Sequence, residues 1–193
     1  MNSSLSSPRP GTLLLAGLGL AYPFAVFLSL GHVPTGALVL AALTLAAGRL
    51  AVMRRTNAAR SLTPAMTGVL AITAGLGAVD PRSAALAYPV AMSLGMAAAF
   101  GMSLFRPPSL VESLAALTEP APTAAARSYM RTVSLVWCLF LTANGLVSAL
   151  TTWLGDIEVW TLYNGLISYL LMGALFAGEY AVRRRVRARR NAS

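Results

Sequence analysis

The fold of this chain is decided by residues 133–190, which read VSLVWCLFLTANGLVSALTTWLGDIEVWTLYNGLISYLLMGALFAGEYAVRRRVRARR. Two apolar runs of helical length are separated by a polar break centred on Asp156. Each run carries the motif Asn-Gly-Leu-x-Ser, which begins at Asn144 in the first run and at Asn164 in the second. The break therefore predicts a helical hairpin whose second helix ends in a block of arginines.

The repeated motif also predicts how the two helices pack. Within each copy the Asn and the Ser are four residues apart, so they share one helix face. A turn at the polar break places Asn144 level with Ser168, and Ser148 level with Asn164. The glycine of each copy lets the partner helix come close, as it does between helices in a bilayer. We expect these four side chains, with Tyr163 beside them, to form a polar cluster inside a membrane.

Two interpretations of this polar cluster remain open. The first is structural: hydrogen bonds between the helices, each contributing ~0.6 kcal/mol on average, would set the register of the hairpin. The second is functional: a polar notch open to the outer leaflet would hold a lipid headgroup or a polar substrate. The absence of a charged side chain in the motif favours the first interpretation.

The composition indicates a membrane protein. Hydrophobic residues make up 56% of the chain and charged residues 11%, which is too apolar for a soluble domain of this length. The net charge is +9, and all fifteen basic residues are arginines. Because these arginines lie between apolar runs, they favour contact with anionic lipid headgroups over nucleic acid. The single cysteine, Cys138, cannot form a disulfide within one chain.

Six apolar segments have the length that crosses the hydrocarbon core of a bilayer. They are residues 12–30, 35–53, 64–79, 84–104, 132–154 and 159–182. We therefore predict an all-α, polytopic membrane helix bundle that forms a single domain. A cleaved signal peptide is the alternative interpretation of the first segment, although the apolar region of a signal peptide is usually shorter.

The longest segment between predicted spans comprises residues 105–131. Ser109 precedes Glu112 by three residues, which is typical of a capping box at the start of a helix. We expect a short helix at about residues 109–118. Because its leucines share one face, starting with Leu110, we expect this helix to lie flat on the membrane surface.

The placement of arginines predicts the orientation in the membrane. Fourteen of the fifteen lie at one set of helix ends, and Arg82 alone lies at the other. Because positive charge stays on the cytoplasmic side, both termini are expected in the cytoplasm. The loop of residues 105–131 and the basic tail of residues 183–193 are then cytoplasmic as well.

Charged side chains near the cytoplasmic helix ends are candidates for an ion pair and for docking. Glu179 precedes Arg183 by four residues, which is the spacing of an ion pair on one helix, and Arg49 is a second potential partner. A proton or cation relay through the carboxylate is the alternative. The candidate contacts for anionic headgroups or an acidic protein partner are Arg106, Glu112, Arg184, Arg185 and Arg187.

The sequence gives no sign of catalysis. It contains no G-x-S-x-G, His-x-x-Glu-His or P-loop pattern, and its only histidine, His32, has no neighbour that would make it a base or a metal ligand. We therefore expect a non-enzymatic protein with no catalytic residues, no metal site and no cofactor.

Several segments carry a family resemblance. They read FRPPSLVE at residues 105–112, VWC at 136–138, EVWTLYNG at 158–165 and GEY at 178–180. Residues 104–186 thereby resemble a family of small, uncharacterised proteobacterial inner-membrane proteins. That family is encoded beside fatty-acid-like gene sets, including those for aryl polyene lipids. The resemblance implies an inner-membrane location and a part in making, anchoring or exporting an acyl or polyene lipid.

Two functions agree with these expectations. In the first, the protein is a non-enzymatic accessory that holds acyl-lipid biosynthetic enzymes or a lipid-linked product at the cytoplasmic face, through residues 105–131 and the arginine tail. In the second, it is a small transporter or flippase for a lipid or another hydrophobic metabolite, with a pathway near Asn144, Asn164 and Tyr163.

Overall fold

The computed structural model describes residues 59–116 and 122–191, together with seven helical positions between Ala37 and Gly48. The predicted span at residues 12–30 and most of the one at 35–53 lie outside the described residues. So do three predicted or candidate features: the ion-pair partner Arg49, the end of the short helix beyond residue 116, and the side chain of Arg187.

The described chain is helical and contains no strand, which confirms the all-α prediction for residues 59–116 and 122–191. Its elements are α1 (Ala59–Val79), α2 (Pro81–Phe105), the short α3 (Leu110–Ala115), α4 (Ala124–Leu154) and α5 (residues 157–191). Within this part of the chain, the four long helices are each long and apolar enough to cross a membrane.

The last helix, α5, changes its geometry along its length. It is α-helical over Ile157–Thr161, π-helical over Leu162–Ile167 and α-helical again over Ser168–Asn191. The π-helical turns contain the second copy of the Asn-Gly-Leu-x-Ser motif. Such segments are rare and are frequently found at functional sites.

Each of the two tight turns between long helices is closed by an aspartate that caps the next helix. At the start of α2, the Asp80 carboxylate accepts hydrogen bonds from the Ser83 hydroxyl and from the backbone N–H groups of Arg82 and Ser83. The Ser83 hydroxyl, followed by the Arg82 N–H, holds the pKa of Asp80 below its ordinary value. Pro81 occupies the first helical position, where no N–H is needed.

The turn between α4 and α5 is built in the same way. Gly155 ends α4 with a φ of 74°, a left-handed conformation that glycine adopts without strain. The Asp156 carboxylate then accepts hydrogen bonds from the backbone N–H groups of Glu158 and Val159. The sequence-based prediction of a turn at Asp156 is therefore confirmed.

The short helix α3 is fastened to its neighbours through serine hydroxyls. Ser109 caps it and accepts a hydrogen bond from the Glu112 N–H, as the capping-box pattern predicts. The two preceding N–H groups of α3 bond to other helices: one reaches Ser103 Oγ of α2 at 2.9 Å and the other Ser134 Oγ of α4 at 3.2 Å. Leu110 is fully buried, so this face of α3 points into the protein.

The bundle is built around α2, which packs against α1 on one side and against α4 on the other. By contrast, α5 approaches α4 mainly near the turn. Beyond Ser168 the backbone of α5 stands away from the backbones of the other described helices, and long side chains such as Met172 reach the core across the gap. The two helices of the hairpin therefore diverge.

Gly145 makes its close contact with a different helix from the one expected. A Cβ atom at Gly145 would lie 2.7 Å from Leu94 Cδ2 and 3.3 Å from Ser93 Cβ, both on α2. The prediction that this glycine brings the hairpin partner close is wrong. The reason is that α4 packs on α2 along its length, whereas it meets α5 only close to the turn.

We expect Gly145→Ala to destabilise the protein, because the added methyl group overlaps the Leu94 side chain and overpacking costs ~1–3 kcal/mol. Gly173→Ala is the matched control, since a Cβ atom there meets no atom of the described part of the chain within 4 Å. Thermal melting in detergent should show a lower midpoint for Gly145→Ala and an equal or higher midpoint for Gly173→Ala. Equal midpoints for the two variants would contradict this packing.

Candidate functional site

The main candidate site is a cavity of about 630 Å³ between α2, α4 and α5. This volume lies in the range of small-molecule binding sites. Helix α3 contributes Val111, Leu114 and Ala115 to its wall, and α1 contributes Met66. The cavity is a consequence of the fold, because it occupies the space that opens where α5 diverges from α4.

The middle of the cavity is apolar. Its wall is formed by Met92, Met96, Phe100, Trp137, Met172 and Phe176. The indole of Trp137 anchors an aromatic group: its centroid lies 4.4 Å from that of Phe176 and 6.1 Å from that of Phe100. Methionine side chains are flexible and adapt to an irregular partner. The wall therefore combines a rigid aromatic side with a deformable one.

One end of the cavity is bounded by the predicted polar cluster. Ser148 Oγ donates to Asn164 Oδ1 at 2.6 Å, which confirms that these two residues lie level with each other across the hairpin. Asn164 Nδ2 donates to Thr151 Oγ1 at 3.2 Å and to the Trp160 carbonyl at 2.9 Å. Both N–H groups of the Asn164 amide are thus used within the protein, and its oxygen accepts from Ser148. These bonds support the structural interpretation for Asn164.

Asn144 lies in a second hydrogen-bonded group. Its Oδ1 accepts from the Tyr163 hydroxyl at 3.1 Å, and its Nδ2 donates to Ser93 Oγ of α2 at 3.0 Å. Asn144 and Ser168, the second pair predicted to lie level with each other, form no hydrogen bond between them. The π-helical segment widens the turn before Ser168, whose N–H bonds to the carbonyl of Tyr163, and the helices diverge at this point. Asn144, Asn164 and Ser168 nevertheless all line the cavity.

The opposite end of the cavity is charged. Arg183 donates to Glu179 Oε1 through Nε at 2.9 Å and through Nη2 at 2.7 Å, so the predicted ion pair is present. The Glu179 side chain is 16% exposed and that of Arg183 is 42% exposed. The Tyr129 hydroxyl is buried beside this pair. Glu179 and Arg183 both line the cavity.

The predicted docking residues lie elsewhere. Arg106, Arg184 and Arg185 are exposed and none of the three lines the cavity. The Arg184 guanidinium lies 6.0 Å from the centroid of the Tyr180 ring, which places it along the side of α5. Glu112 is half-buried in α3. The structure does not bring these candidates together into one site.

Two features of the site could not be read from the motif alone. Ser93 and Thr151 complete the polar cluster but stand outside the repeat. The methionines of the wall have a sequence signal, because Met92 and Met96 are four residues apart on one face of α2. That signal is equally typical of an ordinary helix–helix contact.

Comparisons with known proteins add no relative: no protein-family model, curated protein or solved structure matches the chain. Within the described residues, no three His, Cys, Asp or Glu side chains form a group that could hold a metal ion. The cavity and its two ends are therefore the features from which a function is argued.

We expect Asn164→Leu to lower stability by ~1–3 kcal/mol, since it leaves the buried Ser148 and Thr151 hydroxyls without their amide partner. Asn144→Leu should lower stability by less than Asn164→Leu does, because only two hydrogen bonds beside the cavity are lost. The measurement is thermal melting in detergent, extended to a Ser148→Ala/Asn164→Ala double-mutant cycle. A coupling of about zero in that cycle would show that the hydrogen bond does not hold α5 to α4.

Proposed function

We propose that this protein is a multi-pass membrane protein that binds one long hydrocarbon chain of a lipid in the cavity beside α5, and that it handles this lipid non-enzymatically during biosynthesis or export. The observation that carries the proposal is the form of the cavity: an apolar middle between a polar end and a charged end. This is the pattern of an amphiphilic ligand. The family resemblance supports an acyl or polyene chain.

The dimensions of the cavity support an extended chain. The α5 residues that line it run from Asn164 to Arg183, which corresponds to ~28 Å of helix and approaches the thickness of the hydrocarbon core. A cavity of about 630 Å³ along this length has room for an extended hydrocarbon chain.

The proposed topology has six spans, with both termini in the cytoplasm of a bacterium and the protein in its inner membrane. The arginine distribution supports it. In this topology the Asp80 and Asp156 turns face outward, and the Glu179–Arg183 end of the cavity faces the cytoplasm. Helix α3 then lies at the cytoplasmic surface, where anionic headgroups meet the exposed arginines.

A second candidate function is the docking of soluble acyl-chain enzymes. The observation that favours it is the fastening of α3 to α2 and α4 by Ser103 and Ser134, which makes a fixed platform beside the exposed Arg106. Leu114 and Ala115 of this platform also line the cavity, so a docked enzyme would stand next to the chain. Loss of enzyme pull-down after Arg106→Glu, with lipid binding intact, would favour docking.

We expect a substitution that fills the cavity with a larger side chain to weaken lipid binding. Met172→Phe enlarges a side chain in the cavity wall, whereas Leu171→Phe, the matched control, enlarges an exposed neighbour that does not line it. In nanodiscs, a brominated single-chain lipid should quench the fluorescence of Trp137 saturably in the wild type and in Leu171→Phe. Met172→Phe should show weaker quenching that rises linearly with lipid. Trp137→Phe identifies the signal of that tryptophan.

A deletion strain tests the biological role. We expect the deletion to change the amount or the membrane location of an acyl or polyene lipid. The wild-type gene and Leu171→Phe should restore the profile, and Met172→Phe should not, because the cavity is filled. A lipid profile that the deletion leaves unchanged would count against both proposed functions.

A further inference from the structure

We infer that the chain held in the cavity ends in a carboxylate and that the guanidinium of Arg183 binds this headgroup. The inference rests on the proposed function and adds to it the class of ligand and its direction. The headgroup lies at the charged end of the cavity. The hydrocarbon tail runs past Trp137 towards Asn144 and Ser168 at the other end.

Arg183 has hydrogen-bond donors that Glu179 does not use. A guanidinium carries five N–H donors in a planar fork that fits a carboxylate. Glu179 uses two of these donors, and it does so through Oε1 alone. Three donors remain for a second anion. Because the Arg183 side chain lines the cavity and is 42% exposed, an anion in the cavity can reach it.

The Glu179 carboxylate would repel an anionic headgroup unless it had a further hydrogen-bond donor. The buried Tyr129 hydroxyl lies within interaction range of both Glu179 and Arg183, and it completes a hydrogen bond with neither. A small movement of the Glu179 carboxylate lets it accept a hydrogen bond from this hydroxyl while it keeps its contact with Arg183. The ligand carboxylate then binds the remaining donors of the guanidinium, and each anion keeps a donor.

The charges around Arg183 distinguish between the chemical classes of headgroup. The existing contact with Glu179 shows that the Arg183 fork accepts a carboxylate in this setting. A phosphate would place up to two negative charges beside Glu179, and a cationic headgroup would meet Arg183 and the neighbouring arginines of α5. At the other end of the cavity, none of the described lining residues is charged, and the Asn164 amide there is fully used. A monoanion at Arg183 is the arrangement that agrees with all three facts.

The experiment compares three brominated probes of equal chain length: a fatty acid, a fatty alcohol and an alkyl phosphate. Each is titrated into the protein in phosphatidylcholine nanodiscs, and quenching of Trp137 is followed against Trp137→Phe. We expect the wild type to bind the acid roughly ten- to a hundredfold more tightly than the alcohol, as a charge-assisted hydrogen bond provides. The alkyl phosphate should bind more weakly than the acid.

The variants assign this difference to one side chain. Arg183→Gln should bind acid and alcohol equally, and Arg183→Lys should retain part of the preference, because it keeps the charge and loses the fork. Glu179→Gln should bind the acid at least as tightly as the wild type does. Arg131→Gln is the matched control, since Arg131 is exposed and does not line the cavity, and it should behave as the wild type.

The contrary outcomes are distinct from one another. Saturable binding of acid and alcohol with equal affinity in the wild type, or tighter binding of the phosphate, overturns the inference and leaves the proposed function standing. No saturable binding of any probe overturns the proposed function itself. Cross-linking of a photoreactive residue at position 172 to residues 12–53 would do the same, because the protein's own chain would then fill the cavity.

Discussion

A polar group in hydrocarbon needs a partner within the protein, and this constraint governs how α5 is held. Asn164 satisfies this constraint completely, because its amide is hydrogen-bonded to Ser148, to Thr151 and to the Trp160 carbonyl. These bonds lie close to the turn, and they tie α5 to α4 there. Beyond them, apolar side chains gain little from facing each other rather than lipid, so nothing of comparable strength draws the two helices together. The hairpin diverges, and the cavity is the space that this divergence leaves.

The same constraint explains the two ends of the cavity. Near the turn, the amides and hydroxyls bond mainly to one another, which leaves this end few hydrogen-bonding groups for a further ligand. At the other end, Arg183 and Glu179 form a partly exposed ion pair that uses two of the five guanidinium donors. The site thus has one polar end and one charged end, with an apolar passage between them. In the proposed function, that asymmetry gives a bound amphiphile a direction relative to the membrane.

The contacts that depend on the spacing of nearby residues could be predicted from the sequence. A helical turn brings Glu179 to Arg183, and a hairpin turn at Asp156 brings Ser148 to Asn164, so both contacts follow from counting residues. The partner of Gly145 could not be obtained in this way, because it depends on which helix α4 packs against. The same is true of the cavity, which depends on the divergence of α5 and on the π-helical turns. Neither the packing partner of Gly145 nor the cavity follows from the spacing of apolar residues in the sequence.

The central claim is that the long helices cross a bilayer with their arginine-bearing ends in the cytoplasm. Alkaline phosphatase and green fluorescent protein fusions at Asp80, Pro122, Asp156 and Ser193 test it most directly. The account predicts phosphatase activity and no fluorescence at Asp80 and Asp156, and the reverse at Pro122 and Ser193. Fluorescent fusions at Asp80 or Asp156 would contradict it, and so would a fusion protein that remains soluble after the membranes are removed.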